Sequence, residues 1–177
     1  MCMKKKIYIL KGFHYSTFIP RIYKNKQNNQ NNQNNLKKTI TIKFNKSCIY
    51  DIDEDSCVNK LWGFSNGLFG VHENSYRFGW TYDKNSEEIK LWTYTYINGR
   101  LHKTIITSLE FDKEYSLSIH IIQLNSNVCT VIYNIDNKIV YDIDIPIKLN
   151  KYFLELGFYF GGNTRAPHNM CVEFDRI

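Results

Sequence analysis

The run Glu88-Ile-Lys-Leu-Trp-Thr-Tyr-Thr-Tyr-Ile97 changes side-chain character at every second residue and is followed at once by Asn98-Gly99. A period of two places Trp92, Tyr94 and Tyr96 on one face of a strand and Ile89, Leu91, Thr93, Thr95 and Ile97 on the other. Asn-Gly suits the two left-handed positions of a tight hairpin turn, so the chain must return alongside itself from Arg100. Similar short runs occupy residues 39–44, 76–82, 115–122, 128–133, 138–145, 152–160 and 170–174. About ten strands with tight turns predict an all-β fold of two packed antiparallel sheets, a jelly-roll or lectin-like β-sandwich, with an open barrel as the alternative.

Composition excludes the competing classes. Isoleucine occurs 22 times, tyrosine 13 and phenylalanine 11, while Ala166 is the only alanine. A helical bundle or a doubly wound α/β enzyme needs helix formers that this chain lacks. At 177 residues the chain is expected to form a single domain, 1–177. The tract Gln27-Asn-Asn-Gln-Asn-Asn-Gln-Asn-Asn35 has nothing to bury and reads as a low-complexity surface loop inserted at 27–35.

The formal net charge of +6 is unevenly distributed. Residues 1–46 hold 11 Lys or Arg and no Asp or Glu, whereas the remainder holds 12 basic against 17 acidic residues. Basic residues 4–46, with Tyr8, Tyr15 and Tyr23 among them, are an unspecific candidate for nucleic acid or an anionic surface. The plainer reading is a solvated lysine-rich segment. No apolar run has membrane-spanning length, so no membrane insertion is expected. The apolar stretch at Ile7–Leu10 is too short for a secretory signal. Five scattered cysteines without a C-x-x-C pair suggest free thiols, synthesis in a reducing cytoplasm, and no cysteine-built metal site or cofactor.

Catalytic patterns are sparse in this chain. Asp51-Ile-Asp-Glu-Asp-Ser starts like a calcium loop, but Ser56 and Trp62 stand where glycine and glutamate are needed. A looser calcium site at Asp51, Asp53 and Asp55 stays open, beside a solvated acidic turn. Glu155 and Glu173 are the carboxylates that a polysaccharide hydrolase would require, though their spacing does not single them out. The expectation is therefore a chain that is not an enzyme.

Candidate binding residues lie in two loop-rich regions and on one strand. Residues 61–80 hold four of the nine glycines, with His72, Asn74 and Arg77 among aromatics; residues 161–169 add Arg165 and His168. Such groups at the mouth of a rigid sheet either bind ligand or tie loops to backbone. Trp92, Tyr94 and Tyr96 offer flat apolar faces to sugar rings, or to a protein partner.

Three stretches carry a resemblance: Gly12-Phe-His-Tyr-Ser-Thr-Phe-Ile-Pro20, Lys60-Leu-Trp-Gly-Phe-Ser through Arg77-Phe-Gly-Trp80, and Tyr159-Phe-Gly-Gly-Asn-Thr-Arg-Ala-Pro-His168. In order and spacing they are similar to a group of uncharacterised small β-rich proteins of tailed phages and related bacteria. The resemblance implies a phage-associated setting and brings no catalytic residues with it. The main expectation is thus a non-enzymatic interaction protein, a virion accessory or assembly component with protein partners. The alternative is a carbohydrate-binding, lectin-like module with a glycan partner.

Overall fold

The computed structural model describes residues 5–28, 33–52 and 58–177. Among the described residues, thirteen strands follow in chain order. They are β1 (Lys5–Ile9), β2 (Ile22–Lys24), β3 (Lys26–Asn28), β4 (Gln33–Phe44), β5 (Asn59–Ser65), β6 (Ser75–Asp83) and β7 (Glu88–Ile97). Then come β8 (Arg100–Leu109), β9 (Glu114–Gln123), β10 (Cys129–Ile135), β11 (Lys138–Ile145), β12 (Tyr152–Leu156) and β13 (Met170–Arg176). One 3-10 turn, Lys46–Cys48, begins at Asn45, whose side chain accepts from the Ser47 amide.

The strands form two sheets. One runs β1-β13-β4-β9-β10-β11, with β3 also on β4; the other runs β2-β12-β5-β6-β7-β8. Every paired strand is antiparallel. The fold is the expected all-β sandwich. Its turns use the expected chemistry: Asn98 and Gly99 have φ of 48° and 78° between β7 and β8, and Asp136 and Asn137 have 48° and 65° between β10 and β11.

The core lies between the sheets because one face of each strand is apolar. Ile40, Ile42 and Phe44 from β4 meet Tyr76, Phe78 and Trp80 from β6, all buried. Phe44 lies 5.2 Å from Trp80, and Phe78 stands edge-on to Tyr133 at 5.1 Å. The Thr95 hydroxyl reaches across the sandwich to the Tyr133 hydroxyl at 2.7 Å.

Two expectations change here. The Asn/Gln tract is not a loop throughout: Gln27 and Asn28 pair with Asn34 and Gln33 as a hairpin extension of β4. A ladder uses backbone groups alone, so a tract with nothing apolar to bury can still carry strand pairing. Residues 29–32 lie outside the described residues. The basic N-terminal third, read as a candidate for an anionic partner or as a solvated segment, is built into the sandwich. Ile7 of β1 pairs with Val172, and β4 runs through the middle of the larger sheet, so these lysines are spread over a folded surface. Among the described residues no helix is long and apolar enough to cross a membrane.

Candidate functional site

The six-stranded sheet has an inner face that builds the core and an outer face that does not. Alternation along β6 puts Tyr76, Phe78 and Trp80 inside, hence Ser75, Arg77, Gly79 and Thr81 outside. On β7, Ile89, Leu91, Thr93 and Thr95 are buried inside, so Trp92, Tyr94 and Tyr96 form a strip on the outer face.

A bulge sets what β5 contributes. Lys60 pairs with Gly79 and Trp62 with Phe78, leaving Leu61 as the extra residue. Residues 60 and 62 would otherwise share a face; the insertion lets Trp62 point into the core while Lys60 points outward. Beyond β12 the chain returns to the same row. Lys60 and Tyr159 exchange two backbone hydrogen bonds of 2.9 Å, and Tyr159 in turn bridges to Tyr15. The row Tyr15, Tyr159, Lys60, Gly79, Trp92 thus crosses the outer face from a loop to the strand of the aromatic strip.

A cavity of about 530 Å³ opens on this face. Lys60 and Arg77 form its floor, while Tyr15, His72, Tyr159 and Asn163 are among its walls. The Lys60 ammonium donates to the Gly161 carbonyl at 3.0 Å and sits 5.1 Å from the Tyr94 ring and 5.0 Å from the Tyr159 ring. A cation over aromatic faces is attracted by the ring electrons. Gly161 aims its carbonyl there with a φ of 66°, and a Cβ at this position would collide with the Thr164 carbonyl. The Tyr159 ring is also stacked with His14 at 5.1 Å, and His14 donates from Nδ1 to the Phe160 carbonyl at 2.8 Å.

Arg77 is the most unusual group of the site. Its Nη2 donates to the Gly157 carbonyl at 2.7 Å, while Nε is buried and has no hydrogen-bond partner among the described residues. Burial pulls its pKa down to about 10, against the opposing pull of Tyr94 and Tyr96. The guanidinium remains a cation at neutral pH, held in a place that desolvates it. Beside it, the hydroxyls of Ser65 and Ser75 are likewise buried and unpartnered.

The acids are placed elsewhere. Glu155 is the one acidic residue among the described lining, and its carboxylate is engaged within the protein. Trp62 Nε1 donates to it at 2.8 Å, and Arg176 donates from Nε at 3.0 Å and Nη2 at 2.9 Å. Glu173 stands on the other sheet, 3.0 Å from Lys43. The two carboxylates considered for a hydrolase do not face each other across any cleft.

Of the residues singled out in the sequence, His72 and Arg77 line the cavity, and Trp92, Tyr94 and Tyr96 extend its face. Their neighbours are polar and cationic: Trp92 Nε1 donates to Thr81 at 2.9 Å, the Lys103 ammonium lies 5.8 Å from the Trp92 ring, and His72 stands edge-on to Tyr96 at 5.0 Å. Asn74 is a loop tie, accepting from the Asn98 amide at 2.9 Å. His168 Nε2 donates to the Ser47 carbonyl at 2.9 Å, and Arg165 is exposed outside the cavity lining. Asp51 is ion-paired with Lys84, while Asp53 and Asp55 lie outside the described residues. Among the described residues no three His, Cys, Asp or Glu side chains gather to hold a metal.

No protein-family model matches the sequence, and no curated protein sequence matches it. Solved structures do. The alginate lyase Aly36B, in a variant bound to alginate trisaccharide, is similar at TM-score 0.62 and 14% identity, over 96% of this chain and 78% of that one. The marine PL-14 alginate lyase from Aplysia kurodai is similar at 0.56 and 12%, over 97% and 80% of the two chains. A prokaryotic beta-1,3-1,4-glucanase (lichenase) from a mouse hindgut metagenome is similar at 0.56 and 12%, over 97% and 77%. At these identities the likeness is one of fold, and the fold is jelly-roll-like. The expectation that the chain is not an enzyme is overturned by it, because the solved proteins that share these sheets are lyases and a glucanase. None of the comparisons links the chain to phage proteins.

Proposed function

We propose that the chain is a polysaccharide-active protein that takes a stretch of glycan into the groove on the outer face of its six-stranded sheet. The observation that carries this reading is the pairing of the open cavity with aromatic rings on both sides, Tyr15 and Tyr159 on one and the half-buried Tyr96 and Trp92 on the other, with Tyr94 buried between those two. Rings presented on a rigid sheet offer the flat apolar surfaces that sugar rings stack on, and the cations and hydroxyls between them orient the polar edges. The jelly-roll-like neighbours support it, since their names associate them with alginate and β-glucan.

The groups available for chemistry are Lys60, His72, Tyr15 and Tyr159. Hydrolysis by two opposed carboxylates has no pair of acids among the described lining residues, with Glu155 committed to Arg176. The test is a panel of soluble polysaccharides, followed by the fluorescence of the chain and by the release of shorter products. Binding that quenches or shifts tryptophan emission, and that Trp92→Ala weakens several-fold, is the expected result. A panel with no ligand and no product among acidic, neutral and aminated polymers would sink the reading.

A further inference from the structure

The glycan's charge is the next question, and the neighbours leave it open, since alginate is acidic and β-glucan neutral. The floor of the groove answers it. Resting on the polysaccharide reading, we infer that the groove selects an anionic glycan, with the Arg77 guanidinium receiving a carboxylate of the sugar and Lys60 standing beside it.

Four observations carry this. Arg77 forms no ion pair among the described residues, although it lines the cavity and is partly withdrawn from water. A buried cation is ordinarily paired, because the protein otherwise bears the cost of desolvating it. The acidic lining residue that would compensate it, Glu155, is turned inward and bound by Arg176 and Trp62. The Arg77 charge on the floor of the groove is therefore not matched by an acid among the described residues.

Third, the sheet is built to hold this charge in place. The bulge at Leu61 turns Lys60 to the outer face, where Lys60 Nζ meets the Gly161 carbonyl. Fourth, the positive charge continues along the face. Arg77 pairs in register with Tyr94, and Tyr94 with Lys103. Lys103 is thus two strands from Arg77, roughly 10 Å away at the usual strand spacing. The outward acids of β6 and β7 among the described residues, Asp83 and Glu88, stand at the far end of those strands and are engaged by Lys90 at 3.5 and 3.1 Å. A polymer that crosses the strands meets Arg77 and Lys60 first and Lys103 next. That spacing suits a chain with repeated negative charge. Guanidinium favours planar two-oxygen acceptors, which makes a uronate carboxylate the matching group.

The experiment compares a short uronic-acid oligosaccharide with the same oligosaccharide after reduction of its carboxyl groups, titrated calorimetrically into the intact chain. Ionic strength is kept near about 0.15 M, so that diffuse attraction to a basic protein is screened. A sulfated glucan oligosaccharide and its unsulfated parent form a second arm. The uronate form is expected to bind at least roughly tenfold more tightly than the reduced form, with Arg77→Gln removing most of that difference. Lys5→Gln with Lys6→Gln, on the other sheet, should leave it unchanged.

Equal affinity for the charged and reduced sugars would overturn the anion preference while leaving the polysaccharide reading intact. So would a preference that disappears with the Lys5 and Lys6 replacements and survives Arg77→Gln. Tighter binding of the sulfated glucan than of the uronate would overturn the choice of carboxylate. Failure of every sugar to bind would remove the polysaccharide reading itself. The comparison of uronate with its reduced form uses the unaltered chain, so it stands even where Arg77→Gln fails to fold.

Discussion

At the residue scale, the charged pair Glu155–Arg176 ties the C-terminal strand to the smaller sheet. Its carboxylate is fully buried and also accepts from Trp62, and the guanidinium packs over Phe18 and Phe174 at 4.8 and 5.2 Å. Removing one partner strands the other charge. Glu155→Gln should therefore cost about 3 kcal/mol in urea denaturation, the usual scale for breaking a buried pair. Replacing both partners by methionine should cost less than the single change, because no lone charge is then left inside. A double replacement that costs the sum of the two singles would contradict the pairing. The thiols behave as core groups by the same logic. Burial pushes Cys48 up to about 12 and Cys129 up to about 11, so both hold their proton at neutral pH. Thiolate is the reactive form. Alkylation of the native chain at pH 8, read by peptide mass spectrometry, should leave both unmodified, and denaturation should expose both. Rapid native labelling of Cys48 would show that the larger sheet's edge opens readily.

At the scale of elements, two glycines with similar backbone angles should respond very differently to alanine. Gly99 has a φ of 78° and open space around it, so Gly99→Ala adds only conformational strain, about 1 kcal/mol. Gly161 has a φ of 66° with the Thr164 carbonyl in the way, and its own carbonyl accepts from Lys60. Gly161→Ala should shift the thermal midpoint down by clearly more than Gly99→Ala and should also weaken glycan binding, which Gly99→Ala leaves alone. Equal shifts would mean that the Gly161 turn is free to relax. This contrast also separates what could be read in the chain from what could not. The β7–β8 hairpin is legible from its alternation and from Asn98-Gly99. Strand β5 is not, because Leu61, Trp62, Gly63 and Phe64 run without alternation across a bulge and look like part of a glycine-rich loop. Lys60 and Tyr159 are missed as site residues for the same reason. Each reaches the groove through pairing over about a hundred residues of chain, and local patterns carry no trace of such pairing. Asn74 and His168 show the converse difficulty, since polar loop residues look alike in sequence whether they meet a ligand or, as here, the Asn98 amide and the Ser47 carbonyl.

For the whole molecule, the division of labour between faces decides what the chain can do. The inner faces of the larger and smaller sheets pack their apolar side chains on each other, which leaves Trp92, Tyr96 and Lys103 outside the main core. The choice of Ile89, Leu91, Thr93 and Thr95 as the inner face of β7 is legible, since aliphatic and threonine side chains fill a sandwich and leave Trp92 and Tyr96 half-exposed; that Tyr94 between them is covered is not legible. That choice alone does not tell a ligand surface from a protein interface. The cavity between the 12–20 segment and the 66–74 loop supports the proposed glycan, because a groove suits a chain one sugar wide better than a flat partner. A groove that crosses strands has a length, and affinity should report it. A single uronic acid can occupy only the floor around Arg77 and Lys60, whereas a longer oligosaccharide also reaches Trp92 and Lys103, roughly 10 Å further. Affinity should then rise at least about tenfold from one sugar to four and flatten once the row is covered, because each added ring joins a site already ordered. Trp92→Ala should abolish the gain with length while barely changing the affinity of the single sugar. A length dependence that persists in Trp92→Ala would mean that the glycan leaves the groove by the Tyr15 side instead, and that the aromatic strip of β7 is not part of the path.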